Sequence, residues 1–127
     1  MGSPAIVMGD QVTGTCPNHL IIGPLGVPLP APPMPFAAPL LLGLSTTVLI
    51  GGKPAALVGS SGYNTPPHLG LHASDPFLLP IKEVGQVVTG SPTVTIDGKA
   101  AATATSSATC CVAPGQIPPS VKNVLIG

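Results

Sequence analysis

Arginine and tryptophan are missing from this chain of 127 residues, aromatic residues make up 2% of it, and charged residues 6%. Each shortage excludes something. With no arginine, and with its lysines placed singly at Lys53, Lys82, Lys99 and Lys122, the chain has neither the basic stripe nor the stacking aromatics of a nucleic-acid binder. So few aromatics cannot fill a bulky core. A net charge of zero favours association over life as a free monomer. The opening residues MGSPAIVMGD show no basic stretch followed by an apolar one, so no secretory leader is read there. The apolar run from Leu20 to Gly52 has the length of a membrane span. However, Pro24, Pro28, Pro30, Pro32, Pro33, Pro35 and Pro39 interrupt it, and each interior proline costs a helix about 3 kcal/mol. No stable membrane insertion is expected. The three cysteines, Cys16, Cys110 and Cys111, cannot all pair with one another, which argues against a disulfide scaffold.

Proline and glycine are abundant instead, at 18 and 16 residues, alongside 44% hydrophobic residues in short runs. The length suits one domain, and the composition predicts an all-β body of short strands and tight turns. A repeat organises it. STTVLIGGKPAALVGSS (Ser45 to Ser61) aligns without gaps to SPTVTIDGKAAATATSS (Ser91 to Ser107). Each copy reads as strand, two-residue turn, strand, with Gly51-Gly52 and Asp97-Gly98 as favoured hairpin turns. The alanines that open each return strand suit close packing near a crowded axis. A third copy is split across the termini: PAIVMGD (Pro4 to Asp10) matches PAALVGS (Pro54 to Ser60), and VLIG (Val124 to Gly127) matches VLIG (Val48 to Gly51). Three circularly permuted hairpin repeats whose first and last halves complete one another predict a closed pseudo-threefold object. Closure also removes free strand edges.

After each unit comes a short segment that holds residues able to bind metal: TCPNH with Cys16 and His19, TPPHLGLH with His68 and His72, and ATCC with Cys110 and Cys111. These segments contain all three histidines and all three cysteines of the chain. A threefold axis would bring the segments together at one end, where imidazole and thiolate donors can make a tetrahedral zinc site.

Short strands joined by Gly-Gly, then Pro-Ala-Ala, then Val-Gly-Asp, three times over, resemble the PAAR-repeat proteins that tip the spikes of type VI secretion and other contractile, phage-tail-like injection systems. The arginine of that motif is Leu57, Thr103 and Val7 here. Gly-Asp survives at Gly9-Asp10 and becomes Gly59-Ser60 and Thr105-Ser106. The resemblance implies a small β-cone over residues 1–127, a single PAAR-like domain with inserts at about 24–44 and 73–90. It implies one structural Zn2+ per chain, held by His19, His68, His72 and Cys110, with Cys111 or Cys16 as substitutes for the sulfur. It also implies a non-enzymatic partner of a trimeric spike of the VgrG or phage-hub class, one tip per trimer, with effector cargo as a further passenger. Assembly would take place in the cytoplasm, with delivery alongside the spike. The chain reads as a bare tip without a fused effector. The alternatives are a metal-free baseplate or adhesion component, and a small zinc hydrolase with Asp10 or Glu83 as base. Within the Pro-rich insert, Val27, Leu29, Met34 and Phe36 read either as packing or as an apolar docking patch. Asp10 reads as a turn or cap residue.

Overall fold

Glycine and proline punctuation keeps every strand short in the computed structural model, which describes residues 2–17 and 19–127. The chain runs through β1 (Ser3–Pro4), β2 (Gln11–Cys16), β3 (Leu20–Ile22), β4 (Pro28–Pro30), β5 (Met34–Pro39), β6 (Leu49–Ile50) and β7 (Lys53–Pro54). It continues through β8 (Ser61–Tyr63), β9 (Val84–Val87), β10 (Thr95–Ile96), β11 (Lys99–Ala100), β12 (Ala108–Cys110), β13 (Ala113–Gln116) and β14 (Leu125–Ile126). Single 3-10 turns at Pro24–Gly26 and Pro80–Lys82 are the only helical elements among the described residues.

The repeated segments form the predicted hairpins, β6–β7 and β10–β11. Their turns need a left-handed backbone at both central positions, and Gly51 (φ 61°), Gly52 (83°), Asp97 (53°) and Gly98 (80°) supply it. The split third copy closes as expected: β1 pairs antiparallel with β14, Ser3 opposite Ile126 and Pro4 opposite Leu125. Behind the hairpins, residues 5–7, 55–57 and 101–103 meet in a ring. Isolated bridges join Ala5 to Thr103, Val7 to Ala55 and Leu57 to Ala101. Hydrogen bonds then circulate: the Ile6 amide donates to the Ala102 carbonyl, that of Ala102 to Ala56, and that of Ala56 to Ile6, over 2.9–3.2 Å. So tight a crossing admits only small side chains on its alanine positions, and Ala5, Ala55, Ala56, Ala101 and Ala102 are all buried.

Side chains alternate across the ring, as extended chain requires. Ala5, Val7, Ala55, Leu57 and Ala101 pack toward the hairpins with Ile50 and Ile96. Ile6, Ala56 and Ala102 point the other way, into a second core with Val12, Phe36, Ala38, Leu40, Val87 and Ile117. That second core fills a nearly closed barrel of six strands in the order β5-β2-β13-β12-β9-β8, built from three antiparallel hairpins. The seam between β5 and β8 is held by the Leu41 and Leu42 amides on the Ser61 carbonyl and by the Thr65 amide on the Ala37 carbonyl. The two chains approach so closely that a methyl group on Gly62 would overlap the Pro39 carbonyl oxygen. The molecule is thus an all-β, pseudo-threefold cone with the ring and its hairpins as base.

Segments 24–44 and 73–90, read from the sequence as inserts, contribute wall strands β5 and β9. Phe36 is a core residue on β5, so it takes no part in an exposed patch, whereas Val27 and Leu29 are exposed.

Candidate metal centre

Each barrel hairpin ends, away from the ring, in a different connection. Residues 17–33 join β2 to β5, residues 64–83 join β8 to β9, and Cys111-Val112 turns β12 into β13. Short strands leave little chain for these ends to bury, and they lean on polar contacts instead. Cys16 closes β2 and is buried; His19 follows it, also buried. His68 comes from the second connection with its side chain 3% exposed. Cys111, with φ 52°, sits in the tight turn of the third. One donor atom from each of Cys16, His19, His68 and Cys111 lies within 4.8 Å of the other three.

Of the residues expected at the site, the structure brings His19 and His68 together, joined by Cys16 and Cys111, the sulfurs named as substitutes. His72 stands apart. Its Nδ1 accepts from the Ser74 amide at 3.0 Å, so Nε2 carries the proton and donates to the Gly26 carbonyl at 2.9 Å. Both ring nitrogens are thereby occupied. Cys110 is fully buried in the barrel core, on the strand rather than the turn. Local spacing could not separate these cases, because adjacent residues on a strand point to opposite faces and the turn between Cys110 and Ala113 decides which sulfur reaches the end.

Two buried carboxylates position the imidazoles, and the sequence reading missed both roles. Asp75 Oδ2 accepts from His19 Nδ1 at 3.0 Å and from the Leu20 amide at 2.8 Å, while Oδ1 accepts from the Phe77 amide at 2.7 Å. A carboxylate only accepts, so the proton of His19 sits on Nδ1 and the lone pair on Nε2. Glu83 Oε1 accepts from the Asn64 side chain and from the His68 amide, both at 2.9 Å, and pins the second connection. Nothing in sequence spacing marks Asp75, which is 56 residues from the histidine it holds. The His19 and His68 rings meet edge to face with centroids 4.5 Å apart, and Phe77 stacks edge-on to His19 at 5.6 Å.

The residues fit a metal ion. His19 Nε2 and His68 Nε2 are buried without a hydrogen-bond partner, a costly state that coordination relieves. A cavity of about 150 Å3 lined by Cys16, His19, Phe77 and Cys111 gives access. Two thiols and two imidazoles are a donor set suited to zinc-type ions.

Residues 81–127 match the family described as PAAR motif. That stretch carries the PAAR motif. Comparison with curated proteins and with solved structures returns no match. The matched stretch holds one complete base hairpin, β10–β11, and the Cys110-Cys111 turn. The thiols at the site are held protonated: burial pushes Cys16 up to about 11, and its Sγ–H donates to the Cys110 carbonyl at 3.6 Å. A hydrogen bond with Cys110, reinforced by burial, raises Cys111. Burial lowers His68 toward its neutral, metal-binding form. Burial would raise Asp75, but amide donors Leu20 and Phe77 together with His19 outweigh it and hold the carboxylate below its usual range.

Proposed function

We propose that this protein caps and sharpens the trimeric spike of a contractile injection system, and that a single zinc ion held by Cys16, His19, His68 and Cys111 stabilises its point. The observation that carries the reading is the convergence of four donors from all three barrel hairpins, two of them buried imidazole nitrogens without hydrogen-bond partners. A narrow end has little apolar area to bury, and a structural zinc adds on the order of 10 kcal/mol of binding free energy at neutral pH. Four protein ligands would close the coordination sphere, which gives a structural centre rather than a hydrolytic one. The carboxylates support that assignment. Asp10 accepts from the Val7 amide, Asp75 from His19, Glu83 from Asn64, and Asp97 from Ser45, so each acid already serves the fold.

The opposite end suits a threefold partner. A single chain with internal pseudo-threefold symmetry can seat on a homotrimer by using one type of contact three times. Leu49 and Leu125 occupy matching positions on two base hairpins and are exposed, with Thr95 at the third. The domain spans residues 1–127, assembly precedes delivery, and any effector would ride as a separate passenger.

The test is metal content per chain on protein purified without chelator, beside capture by a trimeric spike. One zinc per chain, lost in His68→Ala, together with capture at one chain per trimer that fails in Leu49→Asp/Leu125→Asp, is the expected result. Absence of metal in the wild type would overturn the centre, and absence of capture would overturn the cap.

A further inference from the structure

The three cysteines of the chain are not equivalent. Cys110 ends β12 and is fully buried in the barrel core. Cys16 ends β2, and Cys111 opens the turn between β12 and β13. Both line the cavity of about 150 Å3 at the point, and Cys110 does not. The Cys16 and Cys111 sulfurs lie no more than 4.8 Å apart.

The turn that carries Cys111 is a strained one. Cys111 and Val112 both adopt a left-handed backbone, φ 52° and 64°. Asparagine and glycine are the usual occupants of such a turn, and a β-branched residue is an outlier there. Strain of this kind gathers at functional positions. Val112 is 84% exposed, so its side chain gains no burial in return. What the turn achieves is to hold the Cys111 sulfur beside Cys16 at the cavity.

We propose that Cys16 and Cys111 are also a redox pair, which closes to a disulfide when no ion holds the sulfurs. The point then has two staples that exclude one another. A disulfide draws its sulfurs to about 2.05 Å, whereas a tetrahedral ion bonded at about 2.3 Å to each holds them roughly 3.8 Å apart. Closure needs a shift of under about 3 Å, the scale of one side-chain rotation, and the cavity leaves room for it. A Cys110–Cys111 bond is less suited. Neighbouring Cα atoms are about 3.8 Å apart, short of the usual span of about 4.4–6.8 Å, and the Cys110 sulfur would have to leave the core.

Closure is a two-electron oxidation. Both S–H bonds break, one S–S bond forms, and two protons and two electrons pass to a peroxide, whose O–O bond breaks to give two waters. Buried, protonated thiols react slowly, so closure takes on the order of hours. Reducing surroundings leave the sulfurs to an ion; oxidising ones leave a covalent staple in its place. The exclusion of one staple by the other rests on the zinc reading, and the bond itself does not.

Hydrogen peroxide treatment followed by mass spectrometry tests the pair, on the full chain as purified and on the same chain stripped of metal by chelator. The stripped chain is expected to lose the mass of two hydrogen atoms, and non-reducing peptide mapping to join Cys16 to Cys111. Oxidation of the zinc-loaded chain is expected to release one ion per bond formed. The oxidised chain should take up no stoichiometric zinc until a phosphine reductant reopens the bond. Cys110→Ala is expected to keep both the bond and the zinc. Should the stripped chain unfold, the chain as purified carries the comparison, with bond and ion release read together. A bond to Cys110, oxygen added to the sulfurs in place of a bond, or bonds only between chains would each overturn the redox pair. One zinc per chain retained alongside the bond would overturn the exclusion. A wild type without metal would overturn the zinc centre, with the bond still read by mapping; zinc bound but no bond formed would overturn the redox pair alone.

Discussion

In the ring, Asp10, Ser60 and Ser106 stand at equivalent places and accept from the amides of Val7, Leu57 and Thr103 over 2.9–3.0 Å. At the far end the units differ: the first supplies Cys16 and His19, the second His68, and the third Cys111. The ring's needs repeat threefold, so each unit meets the same requirement with any short acceptor, and the Asp of one unit drifts to Ser in the others without loss of the bond. The four-coordinate ion proposed for the point could not be shared evenly by three units. The donors come two, one and one, and their connections differ in length and supporting residues. Symmetry governs what the backbone does; chemistry at the point requires that symmetry be broken.

The comparison is broken most completely from the pointed end. Cys16→Ser is expected to abolish stoichiometric zinc and to lower the melting temperature by more than about 10 °C. Metal analysis and a thermal melt check this, and chelator treatment of the wild type should reproduce the drop. From the ring, Ala102→Leu forces extra volume into the crossing, at a cost of about 1–3 kcal/mol. Denaturant unfolding should register that loss while the folded variant keeps its metal. Asp75→Asn leaves the ligands intact but weakens the hold on the His19 tautomer. A metal-competition titration should show affinity about 10- to 100-fold lower, with little change in the melting of chelator-treated protein.

Smaller changes sharpen the contrast. Asp10→Ala, Ser60→Ala and Ser106→Ala should each cost about 1 kcal/mol, the scale of a lost side-chain cap, and the three values should agree more closely than those of any three changes at the point. The smallest effect concerns Asp97, whose carboxylate accepts from Thr47, Ser45 and the Thr46 amide and is held below the usual range by those bonds, Thr47 first. Because its folded pKa is depressed, the stabilisation is present above the unfolded carboxylate range near pH 4. It disappears as pH falls through the folded value. Asp97→Asn should flatten the pH dependence of stability below about pH 4 and leave it unaltered at neutral pH.

How much of this was legible in the sequence follows the same division. The hairpins, the alanine ring and the closure of β1 on β14 could be read because they repeat: Gly51-Gly52 and Asp97-Gly98 announce their turns, and VLIG occurs twice. The wall strands β5 and β9 were harder to read. Met34–Pro39 is proline-bearing and Val84–Val87 short, so neither shows strand periodicity, and each is recruited by pairing with a distant neighbour. At the metal centre, residue types pointed to the right three segments. Which sulfur turned outward depended on the Cys111-Val112 turn, and the diversion of His72 depended on Ser74 and Gly26, contacts that only the folded chain creates.

The pairing of β1 with β14 also bears on how the protein is made. Ser3 waits for Ile126, 123 positions later, so a nascent chain can form the hairpins β6–β7 and β10–β11 as they emerge but cannot complete the third until Leu125–Ile126 has left the ribosome. Contacts this remote in sequence slow folding. They also make closure a late step, because a chain that stalls before Val124 leaves β1 without its partner strand and exposes an unpaired edge. Quality control can recognise such edges.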